Sequence, residues 1–376
     1  MPSSVLSTPT DRLTLIAQAR HALLEDSIDT GVAPPPAIDA WITRSWQRCL
    51  AQGLRPGEPV DFAPLSRAGQ RALQERRWPL ITAARPVMEQ LSRAVAGTGY
   101  FGLLTDAQGL VVEVHGEVDA RVPAAAAIAR VGVDLSESSV GTTAIGAALQ
   151  ELQPVWLHRG EHFFIQNQVY SCAGAPLFGP DGECVGMLDL SGVEVAERPE
   201  LRHLVARAAR QIENRLVLQV PWRCLLRLNW PGTPMAEDAP GETDGLIGLD
   251  PDGRILAVNR AACQLLPQLL PQAGAALLAG DLFALPWTTL YDQARRLAPP
   301  FELPLWSGLH LQALPRLRAS LLETPASAGQ SGRPLKDLET ALIRKAVDEA
   351  RGNVAEAAQR LGISRATVYR KLGRPR

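Results

Sequence analysis

The strongest constraint on this chain is a pair of short, capped helices near its C-terminal end. Asn353 stands three residues before Glu356, which is the spacing of an N-terminal capping box. Gly362 supplies a left-handed stop for this helix, and Ser364 caps the next one only two residues later. Two short helices joined by so tight a turn form a helix-turn-helix. The sequence therefore predicts a small all-α domain over residues 333–376.

Positive charge is concentrated in the same region. From Arg351 to Arg376 the net charge is +6, whereas the rest of the chain carries −7. A positive end on an acidic body favours a polyanionic partner, and the last helix, residues 365–372, exposes groups suited to phosphates and base edges. A basic, solvated helix hairpin is the alternative. We predict that duplex DNA is bound by Ser364, Arg365, Thr367, Tyr369, Arg370 and Lys371.

The segment that precedes the helix-turn-helix, residues 335–350, is an amphipathic helix by its pattern. Its apolar stripe consists of Leu335, Leu338, Leu342 and Ala346. Because one short helix-turn-helix reads only a half-site, we expect this stripe to join two copies into a homodimer. The operator is then an inverted repeat, with half-sites about one helical turn, roughly 34 Å, apart.

Lysine usage excludes one class of enzyme. The chain has only three lysines, Lys336, Lys345 and Lys371, and none of them follows a glycine. A phosphate-binding loop of the GxxxxGK[ST] type is therefore not present in this sequence. A P-loop NTPase is excluded.

Membrane spans, export signals and metal frameworks are also not predicted. The longest uncharged run, residues 261–280, contains Pro267 and Pro271 and cannot serve as a span. The N-terminus has no export signal, so a cytoplasmic location is expected. The five cysteines are scattered without a CxxC pair, which predicts reduced thiols rather than disulfides or a zinc site. We predict no cofactor and no bound metal.

The 376 residues, 46% of them apolar, are enough for two or three domains. A helical pattern covers residues 1–84, and residues 85–220 change to short β-branched runs between glycine turns, followed by a helix. A second, smaller α+β unit spans residues 221–318, and a linker covers residues 319–332. The predicted fold class is α+β and multidomain, with the all-α domain at the end.

The C-terminal segment resembles the Fis-type DNA-binding module that closes many bacterial transcriptional activators. The residues that carry this resemblance are 352–358 (GNVAEAA) and 361–372 (LGISRATVYRKL). In that family the module dimerises through the preceding helices, which fall here on residues 335–350. The resemblance therefore implies DNA binding and dimerisation.

Segments upstream resemble the GAF sensory region of acetoin-catabolism-type regulators and the opening of a PAS domain. The GAF-like segments are 42–49 (ITRSWQRC), 139–146 (SVGTTAIG), 161–163 (EHF), 172–176 (CAGAP) and 186–192 (GMLDLSG). The PAS-like segment is 245–261 (GLIGLDPDGRILAVNRA). The resemblance implies a GAF-like domain at 85–220, a PAS-like domain at 221–318, and a function in transcription regulation.

This sequence departs from that family in one large respect. Typical members carry an AAA+ ATPase before the Fis-type module and use it to remodel polymerase, but only about 80 residues separate the PAS-like opening from the helix-turn-helix here. We therefore expect no ATP-driven step. Regulation by recruitment of RNA polymerase, by occlusion, or by pairing with another regulator remains open.

GAF and PAS domains hold small molecules between their sheet and the covering helices, in pockets that are mostly apolar with a few polar groups. The candidates for contacts with a small-molecule effector are Trp156, His162, Phe164, Tyr170, Cys172 and Asp189. Each of them could instead be an ordinary core residue. A regulator without a ligand, controlled only by a partner protein, is a further alternative.

A metal-dependent hydrolase is the competing enzyme hypothesis. His158, Glu161 and His162 fit the H-x-x-E-H pattern, which needs a helix to place both imidazoles on one face. Gly160 lies inside the pattern and Pro154 precedes it, so strand or turn geometry is expected. A non-haem iron on the same histidines with Cys172 and Asp189 is another alternative. The preferred prediction is a regulator and not an enzyme.

Overall fold

The computed structural model describes residues 12–25, 38–236, 239–269 and 277–318, together with Val354. The chain divides into two units, Met1–Arg318 and Ala319–Arg376. The predicted helix-turn-helix lies outside the described residues, apart from Val354, which is helical. The same holds for its six predicted DNA-binding residues and for the apolar stripe. The first unit holds two antiparallel sheets with helices, which confirms the predicted α+β class.

The first sheet domain begins with helices and continues as a sheet interrupted by short helices. Its helices are α1 (Arg12–Arg20), α2 (Ala40–Ala51), α3 (Arg67–Arg76), α4 (Trp78–Ala94), α5 (Pro123–Ile128), α6 (Glu137–Val140), α7 (Ala144–Glu151) and α8 (Leu201–Gln219). Its strands are β1 (Tyr100–Asp106), β2 (Val111–His115), β3 (Val155–His158), β4 (Tyr170–Phe178) and β5 (Cys184–Val193). A π-helical turn (His21–Glu25) follows α1, and two 3₁₀ turns (Arg159–Glu161 and Ile165–Val169) lie between β3 and β4.

The five strands lie in the order β2-β1-β5-β4-β3 and are all antiparallel neighbours. The central strands are buried on both faces, so their side chains feed two separate hydrophobic clusters. On one face α4 and α8 pack over residues such as Leu104, Ala173 and Leu188. On the other face α2, α5 and α7 and their connecting loops enclose residues such as Leu103 and Cys172.

The second sheet domain starts immediately after α8. It contains β6 (Cys224–Asn229), β7 (Gly245–Leu249), β8 (Ile255–Val258), α9 (Arg260–Leu265), a 3₁₀ turn (Pro267–Leu269), α10 (Ala279–Leu282), α11 (Trp287–Arg295), β9 (Phe301–Pro304) and β10 (His310–Leu317). Its sheet order is β8-β7-β6-β10-β9. The two sheets share one cyclic order of strands. The strand that comes first along the chain is second from the edge in the first sheet and is the middle strand in the second sheet.

Helix α8 joins the two sheet domains through buried polar contacts. The Glu213 side chain accepts a hydrogen bond at 3.1 Å from the backbone N–H of Phe178, the last residue of β4. At the next position of the helix, Asn214 Oδ1 accepts from Asn259 Nδ2 at 2.7 Å. Burial raises the pKa of Glu213 to about 8. Consecutive residues of one helix thus contact both sheet domains.

The helical lead-in is bound to the first sheet domain by side chains of the segment 42–49. Arg48 donates to both carboxylate oxygens of Glu137, at 2.7 and 2.9 Å, and Ser45 donates to the same carboxylate at 2.5 Å. Trp46 Nε1 donates to the Glu161 carbonyl at 3.0 Å. These contacts give the segment a structural role: they fix α2 against α6 and against the turn that follows β3.

Candidate sensory pocket

A small, partly enclosed cavity lies between the first sheet and the elements that cover its second face. Its walls combine apolar and polar side chains from six parts of the chain: Phe62, Ile128, Leu135, Thr143, Ala144, Ile145, His162, Asn167, Tyr170, Cys172, Asp189 and Ser191. The volume that the centre of a water molecule can occupy inside this cavity is about 20 Å³. A cavity of this size holds about one water molecule. A mostly apolar cavity with a few converging polar groups is the usual form of a small-molecule site.

Strand alternation explains which side chains reach this cavity. In β4, Tyr170 and Cys172 point to the cavity face, whereas Ala173 belongs to the opposite cluster. In β5, Asp189 and Ser191 share the cavity face by the same two-residue period. Each strand therefore places two side chains side by side on the floor of the cavity.

The two 3₁₀ turns between β3 and β4 form the cover of the cavity and supply its remaining polar groups. His162 ends the first turn and Asn167 lies inside the second, and both side chains are almost fully buried. Helix α1 holds this cover from outside, because Arg20 donates to the Gly160 carbonyl at 2.9 Å, to the Phe163 carbonyl at 2.8 Å and also to the His162 carbonyl.

Three polar atoms on the cavity walls have no hydrogen-bond partner among the described residues. They are His162 Nε2, Asn167 Oδ1 and Asp189 Oδ1, on side chains whose exposed fractions are 0%, 1% and 0%. Buried polar groups are normally paired, and leaving one unpaired costs about 1–3 kcal/mol. Three such atoms on one cavity are an arrangement suited to a polar ligand.

Burial also shifts the pKa values of these groups. It raises the pKa of Asp189 to about 7, opposed by the hydrogen bond that Ser191 donates. It lowers the pKa of His162 to about 4, so the imidazole is neutral at neutral pH. The pKa of the Cys172 thiol is raised by burial and by the nearby Asp189, so this thiol is not activated as an oxidant sensor.

The structure brings four of the six predicted effector residues to one cavity: His162, Tyr170, Cys172 and Asp189. Trp156 lies on the other face of the sheet, in the cluster under α4 and α8, because its position in β3 alternates with that of Leu157. Phe164 packs edge-on against Phe163, with ring centroids 5.2 Å apart, and is not among the lining residues.

Phe164 instead explains a glycine of the segment 139–146. Gly141 has a φ of +66°, and a Cβ atom there would lie 2.9 Å from the Phe164 ring. Sequence reasoning missed Asn167, Thr143 and Ser191 as cavity residues. Ser191 could have been found from the period-two pattern of β5, but Asn167 sits in a turn that carries no periodic signal.

The H-x-x-E-H pattern does not form a metal-binding face. His158 Nδ1 pairs with Ser171 Oγ at 2.7 Å, and the Glu161 carboxylate pairs with Arg12 at 2.6 Å and with the His158 backbone N–H at 2.6 Å. The pattern lies on a strand end and a 3₁₀ turn rather than on a helix, as its glycine predicted. Within the described ranges, no group of three or more His, Cys, Asp or Glu side chains is placed to hold a metal ion.

The described part of the chain also contains no helix that is both long enough and apolar enough to cross a membrane. All five cysteines are free, and four of them are buried. The prediction that most of these thiols are buried is confirmed, and their reduced state stays a prediction.

Two segments of the chain match known protein families. Residues 334–374 match the family described as "Bacterial regulatory protein, Fis family". Residues 9–214, more than half of the chain, match the family described as "MimR, N-terminal domain". A sensory region combined with a helix-turn-helix DNA-binding module defines a transcriptional regulator. The chain belongs to the MimR N-terminal domain family.

Several relatives support this class. The chain is 32% identical over 289 residues to the acetoin catabolism regulatory protein of Cupriavidus necator, covering 74% of this chain and 42% of that protein. It is 26% identical over 197 residues to the acetoin dehydrogenase operon transcriptional activator of Bacillus subtilis, covering 50% of this chain and 31% of the activator. The predicted resemblance to acetoin-catabolism-type regulators is confirmed, and these relatives are regulators rather than enzymes.

A third relative is the propane 2-monooxygenase operon transcriptional activator MimR of Mycolicibacterium goodii, 29% identical over 195 residues, or 51% of this chain and 32% of that protein. The chain thus spans less than half the length of these curated relatives. Among solved structures, the E. coli DhaR(N)–DhaL complex matches 74% of this chain and 100% of its own, with a TM-score of 0.46 and 15% identity.

Proposed function

We propose that this protein is a ligand-responsive transcriptional regulator: its first sheet domain binds a small molecule in the partly enclosed cavity, and binding changes the affinity of the helix-turn-helix for DNA. The observation that carries this proposal is the set of unpartnered polar atoms on His162, Asn167 and Asp189, which face one cavity. The relatives named for an acetoin operon and for a propane monooxygenase operon favour control of a catabolic operon for small organic molecules.

Coupling by a population shift is consistent with the size of the cavity. Its 20 Å³ accommodates about one water, so a ligand of several non-hydrogen atoms requires the 3₁₀ cover to move. A ligand that binds the opened arrangement better than the closed one shifts the protein towards it. Because β4 carries both cavity residues and the Phe178 contact with α8, movement of that strand reaches the second sheet domain.

For DNA binding, the proposal assigns direct contacts to Ser364, Arg365, Thr367, Tyr369, Arg370 and Lys371, in the major groove. Selection of bound duplexes from a random pool identifies the operator. Arg365→Ala is then expected to weaken binding by roughly 1–3 kcal/mol and to relax base preference at one position of each half-site. Arg374→Ala, two residues after the predicted helix, is the matched control and should weaken all sequences alike. An unchanged footprint and affinity for Arg365→Ala contradicts the assignment.

The regulator is proposed to act as a homodimer on an inverted repeat, through the stripe of Leu335, Leu338, Leu342 and Ala346. Sedimentation of the wild type and of Leu342→Asp at micromolar concentration tests this: the wild type is expected to be a dimer and the variant a monomer. A wild-type monomer that still binds a single half-site tightly is incompatible with the proposal.

Regulation is proposed to proceed without ATP hydrolysis, with RNA polymerase or another regulator as a protein partner. The support is the lysine distribution, because no lysine follows a glycine anywhere in the 376 residues. In a reconstituted transcription assay, replacing ATP by a substrate analogue that polymerase accepts but ATPases do not hydrolyse should leave the regulatory effect intact.

The link between cavity and DNA is tested by reciprocity. Typical coupling free energies of 1–3 kcal/mol correspond to roughly 5- to 150-fold changes, and operator DNA must change effector affinity by the same factor as the effector changes DNA affinity. Calorimetric titrations of an effector with and without operator measure this factor. Equal affinities in the two titrations point to a regulator controlled by a partner protein instead.

A further inference from the structure

The hydroxyl donors on the cavity wall are all engaged within the protein. Three hydroxyl groups donate away from the cavity: Tyr170 to the Ala124 carbonyl at 2.9 Å, Ser191 to Asp189 Oδ2 at 2.6 Å, and Thr143 to the Leu135 carbonyl at 3.4 Å. Each hydroxyl has only one proton to donate. The wall therefore has no hydroxyl proton left for a ligand.

The two uncharged polar side chains of the cover present acceptors for the same reason. His162 Nδ1 lies 3.0 Å from the Arg159 carbonyl, which can only accept, so the proton of the neutral ring is on Nδ1 and Nε2 carries a lone pair. Asn167 Nδ2 donates to the Val140 carbonyl at 3.0 Å, which fixes the amide orientation and leaves Oδ1 as the unpartnered atom.

Asp189 completes the set. Its Oδ2 accepts from Ser191, and its Oδ1 has no partner in the described part of the chain. Above pH 7, where the Asp189 carboxyl is mostly ionised, this side chain has only acceptors. His162, Asn167 and Asp189 thus offer three acceptor atoms to one cavity, and a ligand that satisfies them must bring the protons.

We propose that the cavity binds a small, uncharged molecule with at least two hydroxyl groups, a short-chain diol or triol, which donates to the acceptors of His162, Asn167 and Asp189. This inference rests on the proposed ligand-binding function and narrows it to one class of ligand. The apolar walls, such as Phe62, Leu135 and Ile145, receive the carbon skeleton.

Two other classes of ligand, ketones and ammonium ions, match the polar groups of the cavity walls less well. A ketone or diketone brings acceptors, and acceptor would face acceptor at His162 and Asn167. An ammonium ion brings donors but also a charge. The guanidinium of Arg20 is bonded to the carbonyl of His162, and its charge helps to lower the pKa of that imidazole. A cationic ligand would meet the same repulsion at His162, and an ionised Asp189 would be the one lining group, among the described residues, to attract it.

A series on one three-carbon skeleton tests the class. Propane-1,2-diol, 1-propanol, hydroxyacetone, acetone and 1-amino-2-propanol differ in donors, acceptors and charge at nearly constant size. Binding to the full-length protein is measured by ligand-observed NMR titration about one pH unit above the Asp189 pKa of about 7, so that its carboxylate is ionised, with a metal chelator present. Propane-1,2-diol is expected to bind at least tenfold more tightly than 1-propanol and hydroxyacetone. Equal or tighter binding of hydroxyacetone, acetone or the amine overturns the inference.

Asp189→Asn provides a sharper test, because it keeps the shape of the side chain and replaces one hydrogen-bond acceptor at the cavity by a donor. In the variant the carboxamide oxygen accepts from Ser191 and the NH₂ group faces the cavity as a donor. Affinity for propane-1,2-diol should fall about tenfold or more, and that for hydroxyacetone should rise. The control is Thr105→Val, which removes a buried hydroxyl in β1 that does not line the cavity, and should leave both affinities unchanged.

The remaining outcomes separate this inference from the proposed function. If no compound of the series binds while the protein still binds its operator, the diol class is wrong and DNA binding stands. If Zn²⁺ or Mg²⁺ without chelator gives a shift that Asp189→Asn removes, the three acceptors hold a cation instead of a diol. If the diol binds as predicted but leaves operator affinity unchanged, the ligand class is right and the coupling in the proposed function is wrong.

Discussion

Two buried aspartates, one beside each sheet, have opposite surroundings. Asp244, before β7, pairs with Arg227 through Nε and Nη2 at 3.1 and 2.7 Å, and it also accepts from Asn229 and from the Gly241 backbone N–H. Asp189, in β5, accepts only from Ser191 and keeps one oxygen without a described partner. The first carboxylate stabilises its domain, whereas the second is available to a molecule that is not part of the fold.

The comparison is informative because the two sheets share the same cyclic neighbour order. Similar backbones therefore do not decide which domain leaves a buried carboxylate oxygen without a partner. The choice depends on whether the chain supplies its own partner for the buried charge. Arg227 does so in the second sheet domain, and among the lining residues of the cavity there is no cation.

The largest effect is expected from breaking the satisfied pair. Asp244→Ala leaves the buried Arg227 guanidinium without its carboxylate, and this should lower the free energy of unfolding by about 3–5 kcal/mol. Urea denaturation followed by circular dichroism measures it. Replacing both residues by apolar ones, Arg227→Met with Asp244→Leu, should cost less than the single change. A single variant as stable as the wild type removes the contrast between the two aspartates.

Asp189→Asn is expected to change how the free energy of unfolding depends on pH, and not to unfold the protein. The pKa of Asp189 is raised from 3.8 to about 7, so the folded state holds its proton more tightly than the unfolded chain. Stability from this group is complete below about pH 4 and is lost as pH rises to about 7, with a slope of up to about 1.4 kcal/mol per pH unit. The variant should lack this slope.

The matched control for that experiment is Glu213→Gln. Its carboxyl pKa is raised to about 8, so stability from Glu213 is lost as pH rises from about 4.5 to about 8. The two windows overlap up to about pH 7, so denaturation midpoints between about pH 7 and 8, where only Glu213 still contributes, distinguish the two groups. A pH profile of Asp189→Asn identical to that of the wild type means that the Asp189 carboxyl is not perturbed by burial.

A smaller, local effect is expected at the cover. Arg20→Gln removes charged hydrogen bonds to the carbonyls of Gly160, His162 and Phe163, each worth about 1.5–3 kcal/mol in general. Release of α1 should speed hydrogen exchange in residues 158–169 and leave exchange in β6 unchanged. If the opened cover is the ligand-binding arrangement, effector affinity rises in the same variant. If hydrogen exchange in residues 158–169 is as slow in the variant as in the wild type, Arg20 does not hold the cover.

The smallest effect is expected at Arg121. It is exposed and pairs with Asp119 two residues away, and such surface pairs contribute little. Arg121→Ala should leave the denaturation midpoint, the pH profile and the exchange rates as in the wild type. It serves as the reference for an arginine that contributes to neither domain.

Much of the fold could be predicted from local patterns. The short β-branched runs and glycine turns indicate the strands of the first sheet, and the helix predicted to follow them is α8, Leu201–Gln219. The β7–β8 hairpin around Asp252 lies in the PAS-like segment, and its Pro-Asp-Gly turn is a local signal of the same kind. The stretch after Leu266 has no clear periodicity in the sequence, yet α11, β9 and β10 lie there. Their prolines and short lengths hide the periodicity, and only pairing with β6 makes these strands stable.

The sequence by itself determined the class of the protein, because the capped helices, the charge and the quoted segments are local or compositional. It also indicated His162, Tyr170, Cys172 and Asp189 as candidates. The tertiary structure alone decided that these four meet Asn167 at one cavity, that Trp156 lies on the other face, and that the exposed polarity is that of acceptors. Hydrogen-bond polarity depends on which carbonyls lie beside each side chain, and that is set by long-range packing rather than by neighbours in sequence.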